Sequence, residues 1–235
     1  MPESHFRNDI RFEKIIGSFL DNYFYARLFP NTERSVTRVS NEDLQNAGID
    51  VIVERNDDGT STNIDEKCAA HFINFNLPTF AFEITGTGGR PGWLVKNGIR
   101  TDYYLLVWIH ANEQRYPPTE GANDYYETIE EEDIEYLSCC FLKKETLLQY
   151  LEKKGFSKDN LLAKASEMIK KDIGSDKSHK QRDGFYFIYS KDNLKEKPVN
   201  VVIRKAVLKS LATIEGVCFC YLVNRNGYTR TDRLL

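Results

Sequence analysis

Three ionisable residues stand at a spacing that suits metal-assisted chemistry: Asp50, Asp65 and Lys67. Asp50 follows Gly48-Ile49 and opens the β-branched run Val51-Ile52-Val53, which predicts a strand over 48–54. Asn56-Asp57-Asp58-Gly59 is a hairpin turn sequence, and 61–68 is the expected return strand. The hairpin sets the two strands side by side. Side chains alternate along a strand, so Asp65 and Lys67 face one way and Glu66 the other. Charges in a sheet are costly unless they pair or bind metal. Two carboxylates on neighbouring strands form a hard-oxygen site for Mg²⁺ (or Mn²⁺), an ion that keeps several waters and accepts phosphate oxygens. A lysine beside them neutralises charge developing on a phosphorane-like transition state and helps orient a water.

Glu83 sits in Phe80-Ala81-Phe82-Glu83-Ile84, opposite the apolar face of that predicted strand. It reads either as a third site acid or as the partner of a buried arginine. The loop Gly86-Thr87-Gly88-Gly89-Arg90-Pro91-Gly92 lacks the Gly-Lys-Ser/Thr ending of a phosphate-binding loop. A loop carrying Arg90 past a nucleic-acid backbone fits it better, with Lys96 and Arg100 as further contact candidates. Trp93 is expected to pack, and Tyr103 and Tyr104 to sit in the core with their hydroxyls satisfied.

The elements that must position these residues follow from periodicity. Apolar residues from Ile10 to Phe24 recur at three- and four-residue spacing, which predicts a helix over 8–29, stopped by Pro30-Asn31. Strands are expected at 34–39 and 79–84, and residues 69–77 read as a short helix or a bent continuation. Thr101–Ile109 is almost continuously apolar, as a central strand covered on both faces would be. Residues 111–133 read as an acidic surface connection, solvated at Tyr125 and Tyr126 in preference to binding a partner there. Helices are predicted at 143–154, 157–172 and 204–213, and strands at 184–190, 199–203 and 216–224.

The chain of 235 residues has a formal net charge of −3, unevenly spread. Residues 1–110 hold 11 Lys/Arg against 15 Asp/Glu, residues 111–139 hold 1 against 9, and residues 140–235 hold 20 against 11. This divides the sequence into a core (1–110), an acidic connection (111–139) and a basic α+β region (140–235), the last either a separate unit or part of the same domain. A basic surface attracts phosphates, although Lys-rich helix faces are also simply solvated. No stretch approaches the roughly 20 apolar residues of a membrane span. The N-terminus is polar and the five cysteines are odd in number, with no CxxC pair. A cytoplasmic protein with reduced, buried thiols is expected. The four scattered histidines form no zinc pattern.

Asp50 followed by Asp65-Glu66-Lys67 resembles the PD-(D/E)xK nuclease superfamily, over residues 8–110. That family's core runs helix, three strands, helix, strand. The resemblance implies an α/β, restriction-endonuclease-like mixed central sheet flanked by helices, with the C-terminal α+β part as an elaboration. It implies a Mg²⁺-dependent endonuclease acting on nucleic acid, DNA foremost. Asp50 and Asp65 are then metal ligands and Lys67 the catalytic lysine. The family's helix acid corresponds to Glu13, and its middle-residue main-chain carbonyl to that of Glu66. The alternatives are a non-catalytic nucleic-acid- or protein-binding module on the same fold, or an unrelated α/β enzyme. A homodimer or a protein partner stays open.

Overall fold

The computed structural model describes residues 3–29, 33–190, 197–214 and 217–231. Helix α1 (Glu3–Leu20) continues through a π-helical turn, Asp21–Tyr25, into Ala26–Leu28. Its inward stripe is Phe12, Ile16, Phe19 and Leu20, and the wider turn lets the adjacent Phe24 and Tyr25 both reach the core. The expected stop at Pro30-Asn31 lies outside the described residues.

Strands β1 (Arg34–Arg38), β2 (Val51–Arg55) and β3 (Ser61–Cys68) form an antiparallel meander. A short helix, α2 (Glu42–Asn46), interrupts it after β1, with Asn41 Oδ1 accepting from the Leu44 amide at 3.1 Å. β4 (Thr79–Thr85) follows a single 3₁₀ turn at Ala70–Phe72. β5 (Tyr103–Ala111) then returns parallel to β3, pairing Asp65 with Tyr104. The middle of β5 is buried on both faces, as its apolar run predicts.

The main sheet does not end with β5. β6 (Ile134–Lys143) pairs antiparallel with it from Tyr103–Lys143 to Ala111–Ile134. After α3 (Lys144–Lys153), α4 (Lys158–Lys170), β7 (Ser175–Asp176), β8 (Phe185–Tyr189), β9 (Val199–Arg204), α5 (Lys205–Leu211), β10 (Thr213–Ile214) and β11 (Val217–Cys218) come β12 (Cys220–Asn224) and β13 (Gly227–Thr231). β12 and β13 extend the same sheet, giving the mixed order β1-β2-β3-β5-β6-β12-β13. β6 crosses position 139, where the charge division was drawn, so the acidic connection ends inside a central strand. Sequence reading passes over β6 because Leu137 through Leu142 is buried on both faces and contains Ser138, Cys139 and Cys140, with neither alternation nor β-branching.

Two further expectations change. β4 is a strand, but it belongs to a second, antiparallel sheet of order β4-β9-β8-β7. The predicted strand over 216–224 is two strands, β11 pairing with β10 and β12 with β6; residues 215–216 lie outside the described set. The main sheet is thus covered on one face by α1 and residues 112–133, and on the other by the second sheet with α3–α5. The 111–133 connection is not merely solvated. Tyr116, Tyr126 and Ile129 are buried, Phe12 and Tyr126 meet edge to face, and Arg11 donates to the Ile129 carbonyl at 2.8 Å. No described helix is long and apolar enough to cross a membrane.

Candidate functional site

The site starts from a turn that only glycine accepts without strain. Gly48 has φ +74°, and a Cβ there would come within 2.6 Å of Thr101 Oγ1. The turn delivers Asp50 to the head of β2, where its amide donates to Ile64 O (2.9 Å) and its carbonyl accepts from Val39 N (2.8 Å). Asp50 Oδ2 accepts from the Glu66 amide at 2.8 Å. This bond crosses to β3 just past the last β2–β3 pair. Polar groups alternate along a strand, so the Glu66 carbonyl turns to the same side as its amide, toward Asp50.

Asp65 is buried, 1% exposed, on the face it shares with Lys67 and Tyr104. Lys67 Nζ lies 2.5 Å from Asp65 Oδ1 and 5.2 Å from the centre of the Trp93 ring. Asp65 Oδ2 has no hydrogen-bond donor among the described residues. The Asp50 carboxylate lies within hydrogen-bonding reach of Asp65, but it is another acceptor. Two acceptors set against each other require a proton or a cation between them. Without the cation, burial first and Asp50 second push the Asp65 carboxyl up to about 7, against the pull of Lys67. Burial opposes the charge on Lys67, yet Asp65, Asp50 and Glu13 together hold its pKa above the usual lysine value.

Glu13 projects from α1 into solvent near this pair. Burial, Asp50 and Asp9 raise its pKa while Lys67 lowers it, so α1 brings it within electrostatic reach of both strands. Glu66 points the other way. Its carboxylate accepts from Tyr25 (2.8 Å) and from both ends of the Arg38 guanidinium (2.8 and 3.1 Å), and Arg38 also binds Asp21. That network pins α1 to β3 and fixes which face each residue of Asp65-Glu66-Lys67 presents. Among the described residues, no three His, Cys, Asp or Glu side chains form a ready metal cluster. A pair of carboxylates with peptide oxygens and waters is nevertheless the kind of set Mg²⁺ takes.

The structure adds two groups. Lys144, the first residue of α3, is 7% exposed, its Nζ 5.8 Å from the Tyr104 ring centre. Burial lowers its pKa to about 8, with Lys158 and Lys67 adding to the fall and Asp65 opposing it. Tyr104 has a buried hydroxyl without a partner among the described residues, contrary to the expectation of a satisfied one. Lys144 was legible only as one of many C-terminal lysines; its place depends on β6 delivering it beside β5. Of the others, Lys154, Lys164 and Lys171 are ion-paired with Asp183, Asp176 or Glu167.

Glu83 is on the second sheet, and its carboxylate lies against the glycine-rich loop. A Cβ at Gly92 would come within 2.7 Å of both Glu83 Oε1 and the Glu83 carbonyl oxygen. Close packing on Glu83 therefore accounts for Gly92. Gly92→Ala is expected to destabilise by about 1–3 kcal/mol through overpacking, read as a melting temperature several degrees lower. An unchanged melting curve would show that the loop relaxes freely. Arg90, Lys96 and Arg100 are exposed. Arg90 Nε bonds within its own loop to Thr87 O (3.2 Å), while the Arg100 amide donates to Ala47 O (2.7 Å), so this segment passes beside the turn carrying Asp50. Trp93 packs on Phe82 and Tyr104. No family model, curated protein or solved structure matches the chain.

Proposed function

We propose that the chain is a divalent-metal-dependent phosphodiesterase with a restriction-endonuclease-like core, acting on nucleic acid and on DNA in the first instance. The observation that carries this reading is the buried Asp65 carboxylate, bonded to Lys67 on one oxygen and left without a donor on the other, beside Asp50. The order of α1, β1, β2, β3 and then β5 parallel to β3 is compatible with the resemblance. The intervening helix is replaced by a 3₁₀ turn and β4.

Asp50, Asp65 and the Glu66 carbonyl would hold Mg²⁺ or Mn²⁺. Bound there, such an ion would supply Lewis-acid charge for phosphodiester hydrolysis. The protein's own residues do the rest. Lys67, kept protonated, donates to the incoming water or a non-bridging phosphate oxygen as charge accumulates. Glu13 is open to solvent and suited to accept a proton from that water. Lys144 adds a second, partly desolvated cation behind Asp65. Water adds across one P–O ester bond, leaving a phosphomonoester and a hydroxyl.

Calorimetric titration with Mn²⁺, paired with cleavage assays on duplex DNA, single-stranded DNA and RNA, tests the reading. Wild type is expected to bind Mn²⁺ and cut at least one substrate. Asp50→Asn is expected to bind Mn²⁺ roughly tenfold more weakly or worse, and to regain part of its activity at higher Mg²⁺. A wild-type protein that neither binds Mn²⁺ nor cuts any form overturns the catalytic reading. A non-catalytic binding module then takes its place.

A further inference from the structure

On the face of the main sheet opposite the carboxylate pair lies a pocket of about 310 Å³, at the low end of small-molecule sites. Ile64, one residue from Asp65, is part of its lining. The walls are mostly apolar, half of that apolar lining aromatic. Phe29 closes one side, Tyr103 and Phe141 rise from β5 and β6, and Phe219 and Tyr221 come from the β12 edge. Three cations, Arg34, Lys143 and Arg230, also line it, and among the described residues no Asp or Glu does. The Arg34 guanidinium lies 5.3 Å from the Phe29 ring centre, and that of Arg230 lies 5.6 Å from Phe219 and 5.8 Å from Tyr221. Lys143 is paired with Glu145 at 3.2 Å, but neither arginine has a carboxylate partner among the described residues.

We propose that this pocket binds a nucleoside monophosphate unit, its base among the aromatic rings and its phosphate on Arg34 and Arg230. The two halves of the pocket ask for the two halves of one ligand. Every base has a π-face that stacks on Phe or Tyr, whatever its sequence. The planar guanidinium fork matches phosphate oxygens bidentately, and an aromatic neighbour keeps it oriented. A bare phosphate leaves the rings unused, and an uncharged apolar molecule leaves the cations unused. The inference is independent of the metal-site reading, since the pocket shares no side chain with the carboxylate pair.

Isothermal titration in EDTA with adenosine monophosphate, adenosine, inorganic phosphate and a short 5′-phosphorylated single-stranded oligodeoxynucleotide tests it. Adenosine monophosphate is expected to saturate one site, with adenosine and phosphate each roughly tenfold weaker or more. The double variant Arg34→Ala/Arg230→Ala is expected to weaken the monophosphate by roughly tenfold or more while the protein stays folded, because Arg230 is exposed, Arg34 only half-buried, and neither is in a carboxylate pair among the described residues. Lys67→Ala is expected to leave this binding untouched. An oligonucleotide that binds as tightly as the monophosphate assigns the pocket to a strand end. Binding by the monophosphate alone assigns it to a free nucleotide. The proposal fails if neither saturates, if adenosine matches the monophosphate, if the arginine variant binds like wild type, or if Lys67→Ala abolishes binding.

Discussion

Lys67→Ala lowers kcat for metal-dependent cleavage by about 10²–10³, with little change in substrate affinity, if its ammonium acts on charge that appears only during reaction. The expectation follows from where the ammonium is held. Asp65 Oδ1 lies 2.5 Å away, Trp93 covers one side, and the side chain is still 28% exposed. Removing it leaves both carboxylates, so Mn²⁺ binding should persist, and excess metal should not restore the rate. Asp50→Asn differs on both counts, which makes the pair of variants diagnostic. Both should melt as cooperatively as wild type. A Lys67→Ala enzyme that recovers on raising Mg²⁺ would reassign the lysine to organising the carboxylates. Suppose instead that wild type cuts nothing while both variants lose nucleic-acid or protein binding. The chain is then a binding module whose charged pair shapes an interface.

The second large effect is on stability. In metal-free buffer at pH 8, Asp65→Asn should be more stable than wild type by about 1–3 kcal/mol, although it removes a proposed ligand. An unfolded aspartate titrates near 3.9. Burial and the Asp50 charge raise the folded Asp65 to about 7. Between those values the folded state binds more protons than the unfolded state. Stability contributed by this group therefore falls as pH rises through the interval, and the deficit is complete above it. The asparagine amide supplies a donor where wild type sets acceptor against acceptor. The advantage of Asp65→Asn should shrink at pH 5, where wild-type Asp65 is protonated. It should also shrink on adding Mn²⁺, which stabilises wild type alone. Melting curves at the two pH values, with EDTA or Mn²⁺, measure this directly. A variant less stable than wild type at pH 8 in EDTA would show that the Lys67 ion pair outweighs the carboxylate conflict.

The placing of Asp50 beside Asp65 and Lys67 was largely legible in the sequence because it is local. A turn sequence between two β-branched runs sets Asp50 against Asp65 and Lys67, and strand alternation sends Glu66 to the other face. What escaped was non-local. β4 carries a good strand pattern, but no pattern says which sheet it joins, so neither the second sheet nor the packing of Glu83 against Gly86 and Gly92 could be read from it. β6 lacks alternation because both its faces are covered. Without β6, Lys144 cannot be distinguished from the other lysines of the C-terminal region. The acidic composition of 111–133 hid Tyr116, Tyr126 and Ile129, which roof α1. Net charge describes a segment's surface and says little about three apolar side chains folded beneath it.

The order of strands in the main sheet also sets a schedule. β6 lies inside that sheet, next to its middle strand β5, yet its second neighbour, β12, is made only after the whole second sheet and three helices. Phe24, near the start of the chain, packs on Tyr221 and Tyr228, near its end. During synthesis the open edge of β6 and the aromatic cluster around Phe24 stay uncovered until those last strands emerge. Such long-range closure makes for slow folding, and an unpaired central edge is a template for intermolecular pairing. A ribosome pausing before residue 220 would hold out a chain with Asp50, Asp65 and Lys67 already made but its central sheet unsealed, which is the species a holdase chaperone would recognise.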